Sequence, residues 1–381
     1  MIYLDNAATT YPKPENVYKR MDEFSRNGAV NAGRGSYNLA QDATQLIEET
    51  RDVIKELVNI NNDADVIFSP SITFAMNQVI NGLQWNKGDV VYLSPYEHNA
   101  VARTLSYCKK KNGIEIRELP IDPKTFLIDV DRMRYEFSKN RPKAIFCTHI
   151  SNVTGYILPV EDIFMEGRKY NSINILDTAQ SLGLIDVDAK DLNVDIIAFT
   201  AHKSLYGPIG IGGFINVSGI DLDVVFAGGT GSDSLNLDMP EDGPGKYEAG
   251  SQNIVAIAGL NEALKCIDRE RVFEHEKLLT VALREALANI NGIKVLLPAD
   301  LNKHIGIVSF VVKDMKSDDV ADILNEDFEI AVRSGYHCAP FIHKYLKDER
   351  SLGTVRVGIG QFNSIDDINI LIESIKEVLV G

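Results

Sequence analysis

The sequence predicts an α/β protein, a large domain built on a mostly parallel sheet and joined to a smaller α+β C-terminal domain. Three observations carry this. Short apolar runs rich in β-branched residues alternate with amphipathic helical stretches through the first two thirds of the chain, which is the pattern of a parallel sheet covered on both faces. Runs such as Ile196-Ile197-Ala198-Phe199 are apolar at every position, as a strand buried on both sides requires. At 381 residues, the chain exceeds what one hydrophobic core usually serves.

In chain order, the expected strands are 66–68, 90–93, 114–119, 144–148, 173–176, 196–199 and 212–215. Between them lie helical segments such as 44–59, where Leu46, Ile47, Val53, Ile54, Leu57 and Val58 share one face, and 74–83. After about Gly250 the rhythm changes. A long helical region over 254–289 precedes strands at 294–297 and 305–312, a helix at 317–325, and a loop holding Cys338. A strand at 354–358 and a last helix from Ser364 complete the chain. The expected division is a large domain over 14–255 and a smaller one formed by 1–13 with 256–381.

Composition narrows the function. Hydrophobic residues make up 45% and charged residues 24%, ordinary for a globular protein. Acidic residues outnumber basic ones 54 to 39, a formal net charge of −15, which argues against nucleic acid or an anionic membrane as partner. No apolar stretch approaches the length of a membrane span. Met1 leads straight into Ile2-Tyr3-Leu4, without the basic and apolar regions of a secretory signal. Cys108, Cys147, Cys266 and Cys338 show neither a disulfide ladder nor zinc spacing, so no metal is expected and a reducing cytoplasm is the expected location.

In open α/β sheets, ligands bind beyond the carboxyl ends of the strands. Three polar clusters fall there: Ser71-Ile72-Thr73, Asp177-Thr178-Ala179-Gln180 and Thr200-Ala201-His202-Lys203. Together they offer a helix N-terminus with hydroxyls for a phosphate, a carboxylate and a lysine. Those are the parts of a pyridoxal phosphate site: the acid keeps the pyridine nitrogen protonated, and the lysine forms a Schiff base and moves a proton. Taken singly each is ambiguous. Asp177 also reads as a helix N-cap, Lys203 as a solvated surface lysine and Cys338 as a small buried hydrophobe. A dinucleotide-binding dehydrogenase is excluded, because no GxGxxG follows the first strand.

Nine segments, in order and in register, go further. They are YLDNAATTYPKP from Tyr3, NAGRGSYNLAQDAT from Asn31, YEHNA from Tyr96, SNVTG from Ser151 and LDTAQSLG from Leu176. TAHKSLYGPIGIGG from Thr200, YEAGSQN from Tyr247, RSGYHCAP from Arg333 and TVRVGIG from Thr354 follow. This set resembles the cysteine desulfurase and selenocysteine lyase branch of the class V aminotransferases, fold-type I pyridoxal phosphate transferases. The resemblance implies roles. Lys203 would carry the cofactor, Asp177 would face its ring nitrogen, Gln180 its phenolic oxygen, and His98 would stack on the ring and serve as acid or base. Thr73, Thr200 and His202 would hold the phosphate, completed by Ser251 from a second subunit, so a homodimer is implied. Asn152 would lie near substrate and ring oxygen, and Arg356 would clamp the substrate carboxylate.

Cys338, in RSGYHCAP, is similar to the nucleophile of the short-loop subgroup. It would take sulfur from L-cysteine, or selenium from L-selenocysteine, and release alanine. A short loop cannot carry a persulfide far, so an acceptor protein would have to come to it. Arg333, His337 and His343, close in sequence, are expected to favour its thiolate. The rival readings are another class V reaction, an aminotransferase or β-lyase without need of Cys338, and a non-catalytic scaffold. The scaffold needs none of Lys203, Asp177, His98 and Arg356. The chain departs from the family pattern at Ser71 and Phe74, where Gly and Glu are usual. Ser204 is an extra residue after the lysine, Ser251 stands for a more common Thr, and Asn99 for a second His.

Overall fold

The computed structural model describes residues 1–33, 35–60, 64–231 and 235–379; Arg34 of the segment from Asn31 lies outside them. A short strand β1 (Ile2–Tyr3) is followed by helices α1 (Glu15–Asn27) and α2 (Asn38–Leu57). Strands and helices then alternate: β2 (Asp65–Ser69), α3 (Ile72–Gly82), β3 (Val90–Leu93), α4 (Asn99–Asn112), β4 (Glu115–Glu118) and α5 (Val130–Lys139). Next come β5 (Pro142–Thr148), α6 (Val160–Arg168), β6 (Ile173–Asp177), β7 (Ile196–Thr200) and β8 (Gly212–Asn216). These match the seven expected strands to within one or two residues at each end.

The seven strands form one sheet in the order β2-β8-β7-β6-β5-β3-β4. Only β8 runs against its neighbours, so β2, β7, β6, β5 and β3 deliver their carboxyl ends to one edge. Gly212 at the start of β8 sits between Ser69 and Thr200, the last residues of β2 and β7. Gly213 has no room for a side chain, because a Cβ there would lie 2.0 Å from the Ile67 carbonyl oxygen. Every residue of β7 and β8 is buried, as the all-apolar runs require.

The expected helix over 254–289 is two helices, α7 (Ile254–Cys266) and α8 (Arg269–Ala288). The break comes at Ile267, which is extended, and at Asp268, whose side chain caps α8 by accepting from the Arg271 amide at 3.1 Å. Helix α7 packs on α1 and α2, and its Ile257, Ala258 and Leu260 lie in the core beneath the large sheet. The rest of the chain gives β9 (Ile293–Leu296), β10 (Ile307–Val312), α9 (Ser317–Phe328), β11 (Ile330–Ala331), α10 (His343–Leu346), β12 (Val355–Gly358) and α11 (Ile365–Val378). Strands β12, β10 and β9 form an antiparallel sheet covered by α8, α9 and α11. Residues 1–4 return to this part, because β1 pairs in parallel with β11 and Leu4 joins its core. Among the described residues, no helix is long and apolar enough to cross a membrane.

Candidate active site

The site forms where the carboxyl edge of the large sheet meets β12 and the loop between β11 and α10. Its floor is the pair β6 and β7. Asp177 ends β6, is buried, and accepts from the Ala179 amide at 2.9 Å. Burial pushes its carboxyl up, while that amide and the nearby Lys203 charge pull it down. After β7 the chain reverses tightly: Tyr206 N donates to the Lys203 carbonyl and Gly207 N to that of Ala201, each at 2.8 Å. The reversal places Tyr206 at φ +54° and absorbs Ser204, whose hydroxyl donates to the Ala179 carbonyl at 3.4 Å.

Lys203 is half-buried, and its ammonium is lowered to about 8. Burial is the main cause. The Arg356 and Arg333 charges act in the same direction, and Asp177 and Cys338 oppose them. The lysine thereby gives up its proton far more readily than an exposed lysine, as a group that must act as a base requires. His98 N-caps α4: its Nδ1 accepts from the Ala100 amide at 3.0 Å, which leaves the ring proton on Nε2. Burial, and then the charges of Lys203, Arg356, Arg333 and Arg103, lower His98 to about 3, so the ring is neutral.

On the opposite wall, Arg356 of β12 is 2% exposed. Its Nη1 donates to the backbone carbonyl of Asn152 at 3.0 Å and its Nη2 to Asp5 Oδ1 at 2.7 Å. The Asn152 side chain donates from Nδ2 to the His337 carbonyl at 2.7 Å, and the Cys338 carbonyl accepts from the Asn99 amide at the same distance. The segments that follow two neighbouring strands, β3 and β5, thus hold the Cys338 loop. Cys338 is exposed and near enough to Lys203 and Arg356 for its charge to act on both.

Two of the residues expected to favour the thiolate have ring nitrogens paired with other groups: His337 Nε2 meets Thr354 Oγ1 at 2.7 Å, and His343 meets Asp348 through Nδ1 at 2.5 Å and the Tyr336 carbonyl through Nε2 at 3.0 Å. Burial, and then Arg356, His343 and Arg333, hold His337 well below the usual histidine range, so it is neutral.

The residues present fit a phosphorylated pyridine. Thr200 Oγ1 and His202 Nδ1 are buried without a partner among the described residues, and a phosphate would satisfy both. The buried Asp177 suits a protonated ring nitrogen. Thr73 is exposed on the first turn of α3, capped by Ser71. Ser251 is exposed and lines a groove with Ser69, Phe74, Ile211 and Phe226. Gln180 donates from Nε2 to the Ala7 carbonyl at 2.8 Å, so its amide is turned to the N-terminal segment.

Sequence reasoning missed two contributors. Glu97, next to His98, is fully buried, and its Oε1 accepts from Ser94 Oγ at 2.6 Å and the Thr148 amide at 2.5 Å. Burial first, then Asp177, raise it to about 8. The N-terminal segment is the other. The His202 carbonyl accepts from Thr9 Oγ1, the Thr10 amide and Lys13 Nζ, each at 3.0 Å. The signals available were charged residues inside two of the motifs, Glu97 in YEHNA and Asp5 and Lys13 in YLDNAATTYPKP.

A parallel sheet closed by one reversed strand, with a lysine and an acid at adjacent strand ends, defines a fold-type I pyridoxal phosphate transferase. The family model for aminotransferase class-V matches residues 2–371. A probable cysteine desulfurase of Methanothermobacter thermautotrophicus is 32% identical over 99% of this chain and 94% of its own length. One of Pyrococcus abyssi is 33% identical over 100% and 94%. The apo structure of the cysteine desulfurase of Thermococcus onnurineus superimposes with a TM-score of 0.91 at 29% identity, covering 100% of this chain and 95% of that one. The chain belongs to the cysteine desulfurase branch of the class V aminotransferases.

Proposed function

We propose that the protein is a pyridoxal-phosphate-dependent cysteine desulfurase that converts L-cysteine to L-alanine and stores the sulfur as a persulfide on Cys338. The observation that carries this is the convergence of an exposed Cys338, Arg356 and Lys203 on one cleft, with the cysteine loop tied to the sheet edge through Asn152 and Asn99.

Lys203 would bind the cofactor covalently, with Asp177 at its ring nitrogen, Gln180 and Asn152 at its ring oxygen, and His98 against its face. Thr73, Thr200 and His202, with Ser251 of a second copy, would hold its phosphate. Bound pyridoxal phosphate supplies an electron sink conjugated to the substrate Cα.

The protein's own groups do the rest. Arg356 grips the substrate carboxylate with two parallel N–H donors. Neutral Lys203 takes the Cα proton and returns it later in the cycle. The Cys338 thiolate attacks the substrate sulfur. An S–S bond forms as the Cβ–S bond breaks, its electron pair stays with Cβ, and a proton completes the methyl group of alanine. L-Selenocysteine fits the same steps.

The working unit is a homodimer sharing Ser251 between sites, located in the cytoplasm. The division falls after α7 rather than at the expected 255/256, because α7 packs into the larger core: the larger domain runs from 14 through α7, and the smaller one joins 1–13 to the chain from α8 onward. Because the Cys338 loop is short and anchored, an acceptor protein takes the persulfide at the surface.

The test is Cys338→Ser. The variant keeps the cofactor, bound to Lys203 and fixed there by borohydride, and still binds L-cysteine. It loses release of alanine from cysteine, because a serine hydroxyl is too weak a nucleophile for the sulfur. Alanine release at the parent rate makes the protein a class V lyase instead.

A further inference from the structure

The guanidinium of Arg356 is not free to receive a substrate carboxylate. Its Nη2 is already paired with Asp5 Oδ1 at 2.7 Å, and its Nη1 with the Asn152 carbonyl at 3.0 Å. Nε, on the same edge as Nη2, is buried and has no partner among the described residues. A carboxylate binds a guanidinium best through two parallel N–H donors. The Nε–Nη2 edge offers such a pair, with one donor orphaned and the other held by Asp5.

A second cation stands beside it. Asp5 Oδ2 lies 3.9 Å from Arg333 Nη1. Arg333 and Arg356 face each other across two backbone hydrogen bonds, of 3.2 and 2.7 Å. Asp5 itself is fixed by its main chain, through the bridge to Gly358 that follows the β1–β11 pairing. Two guanidiniums and one carboxylate leave the cluster with one unmatched positive charge. In a low-dielectric cleft that excess attracts a second carboxylate. Without Asp5, the buried Arg356 would stand unpaired, at a large desolvation cost.

We propose that Asp5 is an exchangeable counter-ion: it holds Arg356 in the free enzyme, and an incoming amino-acid carboxylate displaces it onto Arg333. Asp5 is then a specificity-determining residue, setting the affinity for the substrate carboxylate. This rests on the reading of Arg356 as the carboxylate clamp. The exchange needs only a turn of the Asp5 side chain, because Arg333 is already within ion-pair distance. The same N-terminal segment meets Gln180 at Ala7 and the His202 carbonyl at Thr9, Thr10 and Lys13. The exchange therefore takes place on the strap that also braces the cofactor lysine.

Calorimetric titration of the holoenzyme with L-alanine, which has the carboxylate but no sulfur, tests this without turnover. Asp5→Asn keeps a neutral partner for Arg356 and removes the competing charge, so alanine binds about tenfold tighter. Arg333→Gln leaves the displaced Asp5 without a partner and weakens alanine binding; in the Asp5→Asn background the same change has a much smaller effect. Arg356→Gln weakens binding strongly in every background. Unchanged or weaker binding by Asp5→Asn, with Arg356→Gln still damaging, overturns the exchange and leaves the clamp. An Arg356→Gln variant that binds alanine normally overturns the clamp itself. Should Asp5→Asn fail to fold, Arg333→Gln decides, since its side chain is 43% exposed; undiminished affinity there overturns the proposal.

Discussion

Asn152 shows how one residue can serve two walls of a site. Its backbone carbonyl accepts from Arg356, and its side-chain amide donates to the His337 carbonyl, beside Cys338. The first contact survives any substitution, and the second does not. Asn152→Ala should therefore keep the cofactor and the carboxylate clamp while loosening the cysteine loop. Losing one buried hydrogen bond to a carbonyl slows persulfide formation about tenfold, measured by rapid quench, with alanine affinity little changed. An unaltered rate would mean that the Asn99 contact alone holds the loop. At this scale the sequence was informative about identity and less so about state. Lys203, Asp177, His98, Arg356 and Cys338 occur in motifs, but the direction in which each ring nitrogen or amide turns depends on long-range partners. His337 turns to Thr354, and Gln180 to Ala7, across sequence distances that no local pattern reports.

Two buried carboxyls tie elements together, and both leave a trace in the pH dependence of stability. Glu97 joins the turn between β3 and α4 to the end of β5 through the Thr148 amide. Glu276 of α8 accepts from the Tyr206 hydroxyl at 3.2 Å, beside the lysine turn. Burial raises each to about 8. The folded protein thus keeps protons that the unfolded chain has released above pH 4.5, so each carboxyl makes stability fall as pH rises towards 8. Buried histidines act oppositely: His149, His202 and His304 are lowered to about 4 by burial first, and His98 to about 3, so stability rises with pH up to about 6.5. The carboxyl effect is therefore seen alone between about pH 6.5 and 8, at about 1.4 kcal/mol per pH unit for each group. Denaturant unfolding of the cofactor-free protein should show this fall, and Glu276→Gln should remove its share. An unchanged slope would mean that Glu276 is ionised in the folded state.

The elements themselves were legible because their causes are local. All-apolar runs gave the buried strands and the apolar stripe of α2 gave its helix, although α2 begins at Asn38, six residues before the expected 44. The break between α7 and α8 was not legible, since it depends on Asp268 preferring its cap to a continuous helix. Strand β11, only two residues long, exists because residues 2–3 pair with it from the far end of the chain.

At the scale of the whole molecule, function depends on two sheets meeting. The large sheet contributes Asp177, Lys203 and the orphaned Thr200 and His202 polar atoms, while the small sheet contributes Arg356 and, with the loop after β11, Cys338. The N-terminal segment crosses between them, from Asp5 at Arg356 to Thr10 and Lys13 at His202. Sulfur removed in this cleft should be delivered to Cys338. Peptide mass spectrometry of the holoenzyme after a single turnover with L-cysteine tests this. The extra sulfur should be found on the peptide that contains Cys338, in proportion to the alanine released, and not on those of Cys108, Cys147 or Cys266. Alanine formed with no sulfur on the Cys338 peptide, or with the sulfur on another cysteine, would contradict the account.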